Sequence, residues 1–192
     1  MNMLKKVAWI VFLSTSFSVR SASVWKVTDG ENSVYFGGTI HILKTENLPL
    51  PIEYDIAYAA SDKLVFETDI DGIKTVEFQQ KMLSNLTLTD GTTLQSHLND
   101  GTYNALKTHL HSRGLQIVEF HRFKPSMLAL MISMMEFRAN GFDQDGVDQI
   151  FATRAKADGK PIQWFESVDE QLDFIVNLGG DDDNAMIKHT LD

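Results

Sequence analysis

The chain has 192 residues, no cysteine, and 17 lysines and arginines against 26 aspartates and glutamates, a formal net charge of −9. Without cysteine there are no disulfide staples and no thiolate chemistry, so a hydrophobic core, with or without a metal, has to hold the fold. The acidic balance argues against a nucleic-acid or anionic-membrane binder, whose footprint would be a face rich in Lys and Arg.

In chain order, Lys5 and Lys6 precede an apolar run from Val7 to Leu13, weakly extended through Phe17 and Val19, and then Ser21-Ala22-Ser23. Basic start, short apolar stretch and small-residue end together predict a cleavable export signal over residues 1–23, too short and too serine-interrupted for a stable membrane span. Its removal takes away Lys5, Lys6 and Arg20, leaving 14 basic residues against 26 acidic and a net charge of −12. The mature product, periplasmic or released outside, is then one domain over residues 24–192.

Asp29-Gly30 between two β-branched and aromatic runs predicts a hairpin of Trp25–Val27 and Val34–Phe36, the second strand running into Gly37-Gly38-Thr39-Ile40-His41. Pro51 then opens a helix of about ten residues, a common helix length, with Ile52, Ile56 and Ala59-Ala60 on one face. Lys63–Thr68 is a compact apolar run closing on Glu67, a buried strand. Strand, helix and strand form a βαβ unit with parallel strands and a right-handed crossover. Helical periodicity covers Gly72–Leu83, Thr102–Arg113 and Lys124–Asn140, and Ser126–Phe137 leaves almost no polar face, so it is expected to be buried nearly all round. Asp143 or Asp145 caps a helix to Asp158 whose inner stripe is Val147, Ile150, Phe151 and Ala155. Pro161–Phe165 is a third strand closing on Glu166, followed by a helix over Val168–Asn177. The whole is an α/β fold, with α+β as the alternative: a βαβ core of parallel strands flanked by helices, and an N-terminal hairpin.

In open α/β sheets the ligand crevice lies beyond the carboxyl ends of the parallel strands. The residues found there are His41, Glu67 with Asp69, and Glu166, a histidine and carboxylates suited to metal ligation or acid/base work, or merely to capping helices. Gly37 and Gly38 let the backbone turn sharply or approach a ligand closely. The other histidines, His97, His109, His111, His121 and His189, read as exposed or capping, and Asp181-Asp182-Asp183 as a solvated turn lacking the spaced ligands of a calcium loop. No phosphate-binding loop, nucleophile elbow or His-Glu-x-x-His motif occurs.

These residues carry a resemblance. Val24-Trp25-Lys26-Val27, Val34-Tyr-Phe-Gly-Gly-Thr-Ile-His41, Leu48-Pro-Leu-Pro51 and Leu64-Val-Phe-Glu67 are similar to successive blocks of the TraB/GumN family, which includes the TIKI-type proteases. Phe123-Lys-Pro125, Gly146-Val-Asp148 and Ala155–Pro161 followed by Phe165–Gln171 resemble its later blocks. The resemblance implies a divalent-metal-dependent hydrolase using two Gly-x-x-His motifs and a glutamate. Gly38-Thr39-Ile40-His41 matches the first motif and Glu67 the glutamate. The second motif lies outside this sequence, which is expected to be a C-terminally truncated copy.

On that reading His41 and Glu67 bind the ion, whether manganese, cobalt or zinc, and Glu67 is either a ligand or the general base. Asp148 and Glu166 are lesser members of the same site, Asp148 alternatively serving only the dipole of its helix. The substrate is a peptide or another hydrolysable molecule. The competing readings are a non-catalytic exported module binding peptide, metal or polysaccharide, and an inactive remnant. Oligomeric state is not readable from the pattern.

Overall fold

A computed structural model describes residues 23–192. The expected export signal therefore lies, but for Ser23, outside the described residues. Among them the strands are β1 (Val24–Thr28), β2 (Ser33–Gly37), β3 (Ile42–Lys44), β4 (Leu64–Thr68), β5 (Phe142–Asp145) and β6 (Ile162–Glu166). The helices are α1 (Ile52–Ala59), α2 (Val76–Asn85), α3 (Leu94–His97), α4 (Asp100–Ser112), α5 (Pro125–Ala139), α6 (Val147–Asp158), α7 (Val168–Val176) and α8 (Asp183–Leu191). No helix among these residues is long and apolar enough to cross a membrane.

The fold is α/β, as the pattern predicts, but its strands are shared among three two-stranded sheets. β1 and β2 form the expected antiparallel hairpin, closed at the Asp29-Gly30 turn, where Gly30 takes a φ of 102° that only glycine adopts easily. β4 and β6 pair in parallel, Leu64 beside Ile162 and Thr68 beside Glu166. The expected βαβ unit is corrected here: the parallel partner of β4 is β6, nearly a hundred residues on, and not the hairpin strand β2. The reason lies in β3 and β5, an antiparallel pair that sequence reading missed because β3 is three residues long and β5, Phe-Asp-Gln-Asp, carries no β-branched residue. β3 draws the chain after His41 against β5 and away from β4.

Two cores result. Leu43, Tyr58, Phe66, Val147, Phe151 and Ala155 are buried between the β4–β6 pair, α1 and α6. Leu94, Leu106, Leu110, Leu128, Ile132 and Ile187 fill a helical bundle of α3, α4, α5 and α8. As expected, α5 is buried or half-buried around most of its surface, opening only past Glu136, where Phe137 is exposed.

The face of α1 that carries Ile52 and Ile56 points outward. Ile52 and Ile56 are exposed, while Ala57 and Tyr58 are buried. The aromatic rings win the interior because Tyr54 and Tyr58 pack on Phe151, with ring centroids 6.0 and 5.4 Å away. Tyr58 also donates its hydroxyl to Asp158 at 2.6 Å and lies under Arg154 and Lys160, so its polar end is satisfied. The cap of α6 differs as well: Asp143 and Asp145 belong to β5, and the N-cap is Gly146. The predicted Gly72–Leu83 helix is a 3-10 turn at Gly72–Lys74 and then α2, which Thr75 caps through Phe78 N–H.

Candidate functional site

The loop after β2 brings His41 to the first turn of α6. Val147 N–H donates to the Ile40 carbonyl at 3.1 Å, and a Cβ on Gly146 would lie 2.3 Å from both the Ile40 oxygen and the His41 carbonyl carbon. Only a residue without a side chain permits so close a crossing of two backbones. Gly37 and Gly38 serve the same kind of packing: a Cβ on Gly38 would meet Ser23 at 2.9 Å, and one on Gly37 would meet the Tyr54 ring at 3.3 Å. The Tyr54 hydroxyl donates to the Gly38 carbonyl at 2.6 Å, fixing the start of the Gly-Thr-Ile-His loop.

This crossing sets His41 Nδ1 2.9 Å from Asp148 Oδ2. The His41 side chain is 66% exposed and that of Asp148 19%, so the carboxylate is the anchored partner and the imidazole the group that faces outward. With Nδ1 committed to Asp148, Nε2 is the ring nitrogen left for chemistry. The Asp148 hydrogen bond raises the His41 pKa above its usual 6.5, the charges of Asp148 and Glu67 add to it, and partial burial opposes them. Burial alone would push the Asp148 carboxyl up. The His41 contact, with the backbone N–H groups of Asp148 and Gln149, outweighs burial and holds it below the usual 3.8. Asp148 Oδ1 is buried without a partner among the described residues.

Glu67 follows buried Phe66 on β4 and is exposed at the carboxyl end of the strand. It has no hydrogen bond or ion pair among the described residues, yet its charge is felt at His41. Glu67 and Glu166 line one cavity of about 310 Å³ with Glu170, Gln171 and Phe174. The Ser167 capping box holds that wall: Glu170 accepts from Ser167 N–H and hydroxyl, both at 2.8 Å, and turns the chain into α7 directly after Glu166. A larger depression of about 560 Å³ lies around Asn99, Asp182, Lys188 and His189, and contains none of the predicted site residues.

His41 and Asp148 are therefore brought into contact, Glu67 stands within electrostatic reach of His41, and Glu166 lines the same cavity as Glu67. Asp69 instead turns back on its own segment, accepting from Asp71 N–H. Among residues that sequence reading left out, Gln171 has a buried, unpartnered side-chain oxygen, and Lys74 reaches Gln149 beside Asp148. The Phe165–Gln171 block contained the first; no local signal points to the second. Of the remaining histidines, His109 is half-buried in the last turn of α4, near Glu136 and Arg113, and burial lowers its pKa.

Imidazole nitrogen and carboxylate oxygen are suitable donors for manganese, cobalt or zinc in kind. In number they fall short: among the described residues no three His, Cys, Asp or Glu side chains converge as an ion's shell requires. His41 Nε2 and Glu67 are donors of the right kind, and a resident ion needs further ligands.

The pairing makes a pH prediction. The stabilisation that His41 gains from Asp148 is fully present below pH 6.5 and is lost as pH rises through the raised His41 value; the Asp148 contribution is present above pH 3.8 and is lost as pH falls through its depressed one. The His41 ring protons followed by NMR should titrate with a midpoint above 6.5, and Asp148→Asn should move it back toward 6.5. A wild-type midpoint at or below 6.5 would rule out the pair.

No curated protein and no solved structure matches the chain. A family model described as the TraB/PrgY/gumN family matches residues 23–192, and spans the hairpin, the His41 loop, both parallel strands and α6. The chain belongs to the TraB/PrgY/gumN family.

Proposed function

We propose that the chain is an exported hydrolase of the metal-dependent kind that cleaves peptide bonds at His41 and Glu67. The observation that carries this reading is the 2.9 Å His41–Asp148 contact between residues 107 apart, which orients an exposed imidazole within electrostatic reach of the Glu67 carboxylate. In the proposed step a water oxygen attacks the scissile carbonyl carbon while Glu67 takes the water's proton. The tetrahedral adduct then breaks its C–N bond as Glu67 returns that proton to the leaving amine. Asp148 is a positioning residue: it holds Nδ1 and leaves Nε2 facing outward. Glu166 lines the same cavity as Glu67.

His41 Nε2 would hold a divalent ion, which would supply a water of lowered pKa and polarise the carbonyl, with Glu67 as the base. The resemblance and the donor types support it.

The test is cleavage of a quenched fluorogenic peptide by the purified chain, before and after chelation and after adding back manganese, cobalt or zinc, with metal content measured in parallel. His41→Ala should cost at least about a hundredfold in rate, because the charge stabilisation that the ion supplies is lost with its ligand. Chelation should abolish cleavage, and one of the three metals should restore it. Cleavage that survives His41→Ala unchanged would sink the proposal.

A further inference from the structure

The cavity at the carboxyl ends of β4 and β6 is lined by Glu67, Glu166, Glu170, Gln171 and Phe174, with no lysine, arginine or histidine among them. The Glu67 and Glu166 side chains have no hydrogen bond or ion pair among the described residues. Glu170 differs, because one of its oxygens already accepts from Ser167. Gln171 is an independent sign: its side-chain oxygen is buried and has no hydrogen-bond partner among the described residues. A buried acceptor without a donor is costly, and native folds keep few that no ligand or water fills.

Unfilled acceptors call for a ligand that brings N–H donors and no acceptor of its own, which describes an ammonium or a guanidinium. A bare metal ion fits this cavity less well, because among the described residues no three His, Cys, Asp or Glu side chains converge on one point. An organic cation spans acceptors that stand further apart, lysine with three donors and arginine with a fork of five. Phe174, 67% exposed, gives an apolar wall for the carbon stem that such a cation carries. At about 310 Å³ the cavity is at the small end of ligand pockets, with room for one side chain and not for a whole peptide.

We propose that this cavity is a specificity pocket for a lysine or arginine side chain of the substrate, held by Glu166 and Gln171 with its stem along Phe174. Glu67 lines the same cavity, so the cationic residue is one that flanks the bond under attack. Glu166 takes the charge, and Glu67 keeps its lone pairs for the water. As an account of the substrate this rests on the hydrolase reading; as an account of binding it does not.

The probes are three acetylated and amidated alanine pentapeptides with lysine, arginine or norleucine at the centre. Each is titrated into the full chain in the presence of a chelator and followed by NMR. The lysine and arginine peptides should bind at least about tenfold more tightly than the norleucine one, the ratio expected of one charge-assisted hydrogen bond. Glu166→Gln should shrink that ratio to below about threefold. Glu119→Gln, the same charge change at an exposed acid beside Phe120 of the helical bundle, should leave it intact. Gln171→Met removes the buried oxygen at similar length, so it should weaken the lysine peptide by at least about threefold while the melting temperature is kept or raised. A lysine peptide that binds no better than the norleucine one, or not at all, overturns the proposal. So does a ratio that survives Glu166→Gln, or one that falls equally in Glu119→Gln, which would assign it to the overall acidity of the chain. Preferential binding of the cationic peptides with no cleavage after metal is restored retires the hydrolase and leaves the pocket standing. Cleavage with no preference for them does the reverse.

Discussion

Gly146→Ala is expected to lower the melting temperature by roughly 6–12 °C, the equivalent of about 3 kcal/mol for a chain of this size. The backbone is not the cause, because Gly146 has a φ of −70° that alanine adopts freely. The cause is contact: the new methyl would sit 2.3 Å from the Ile40 oxygen and 2.4 Å from the His41 oxygen, and neither is the tip of a flexible side chain. To make room, the Ile40–His41 peptide has to retreat from α6, which breaks the Val147 N–H bond to Ile40 and pulls His41 away from Asp148. Stability and site geometry should therefore fail together. In the same variant the His41 NMR midpoint should fall toward 6.5, because the Asp148 hydrogen bond is the largest influence raising it. A melting temperature within 1 °C of wild type would mean that the loop yields freely and that the crossing does not define the site.

The same crossing explains what the sequence could and could not disclose. Local chemistry was legible: the hairpin, the apolar β4, the Pro-Gly punctuation and the inner stripe of α6 each follow from a few neighbouring residues. The strand-end positions of His41, Glu67 and Glu166 were legible too, since each follows a short apolar run. Pairing was not. β4 could have taken β2 or β6 as its parallel partner with equal hydrophobic pattern, and only β3 and β5, which carry almost no strand signal, decide the matter. The His41–Asp148 contact is of this kind, because a helix-first-turn aspartate has the same local pattern whether it serves the dipole or a distant imidazole. The outward Ile52 and Ile56 on α1 teach the converse: two tyrosines with satisfied hydroxyls outbid two isoleucines for the interior, a result that depends on Phe151 and Asp158 lying about a hundred residues away.

Glu67→Gln should reduce peptide cleavage by about a hundredfold to ten-thousandfold, the range associated with a positioned general base. Glutamine keeps the shape of the side chain and removes its capacity to take a proton. The change should cost almost nothing in stability: Glu67 is exposed, and it has no hydrogen bond or ion pair among the described residues, so the substitution belongs with surface changes worth within about 0.5 kcal/mol. Its second effect separates a chemical role from a structural one. The Glu67 charge helps to raise the His41 pKa, but less than the Asp148 hydrogen bond does, so in Glu67→Gln the His41 midpoint should drop and still stay above 6.5. Asp148→Asn should move that midpoint further, because it removes the larger influence. A variant that loses cleavage, keeps its melting temperature and shows this partial shift places Glu67 beside His41 as the proton acceptor. Retained cleavage with the same shift would leave Glu67 as an electrostatic neighbour alone, and the water would then have to be activated by another group.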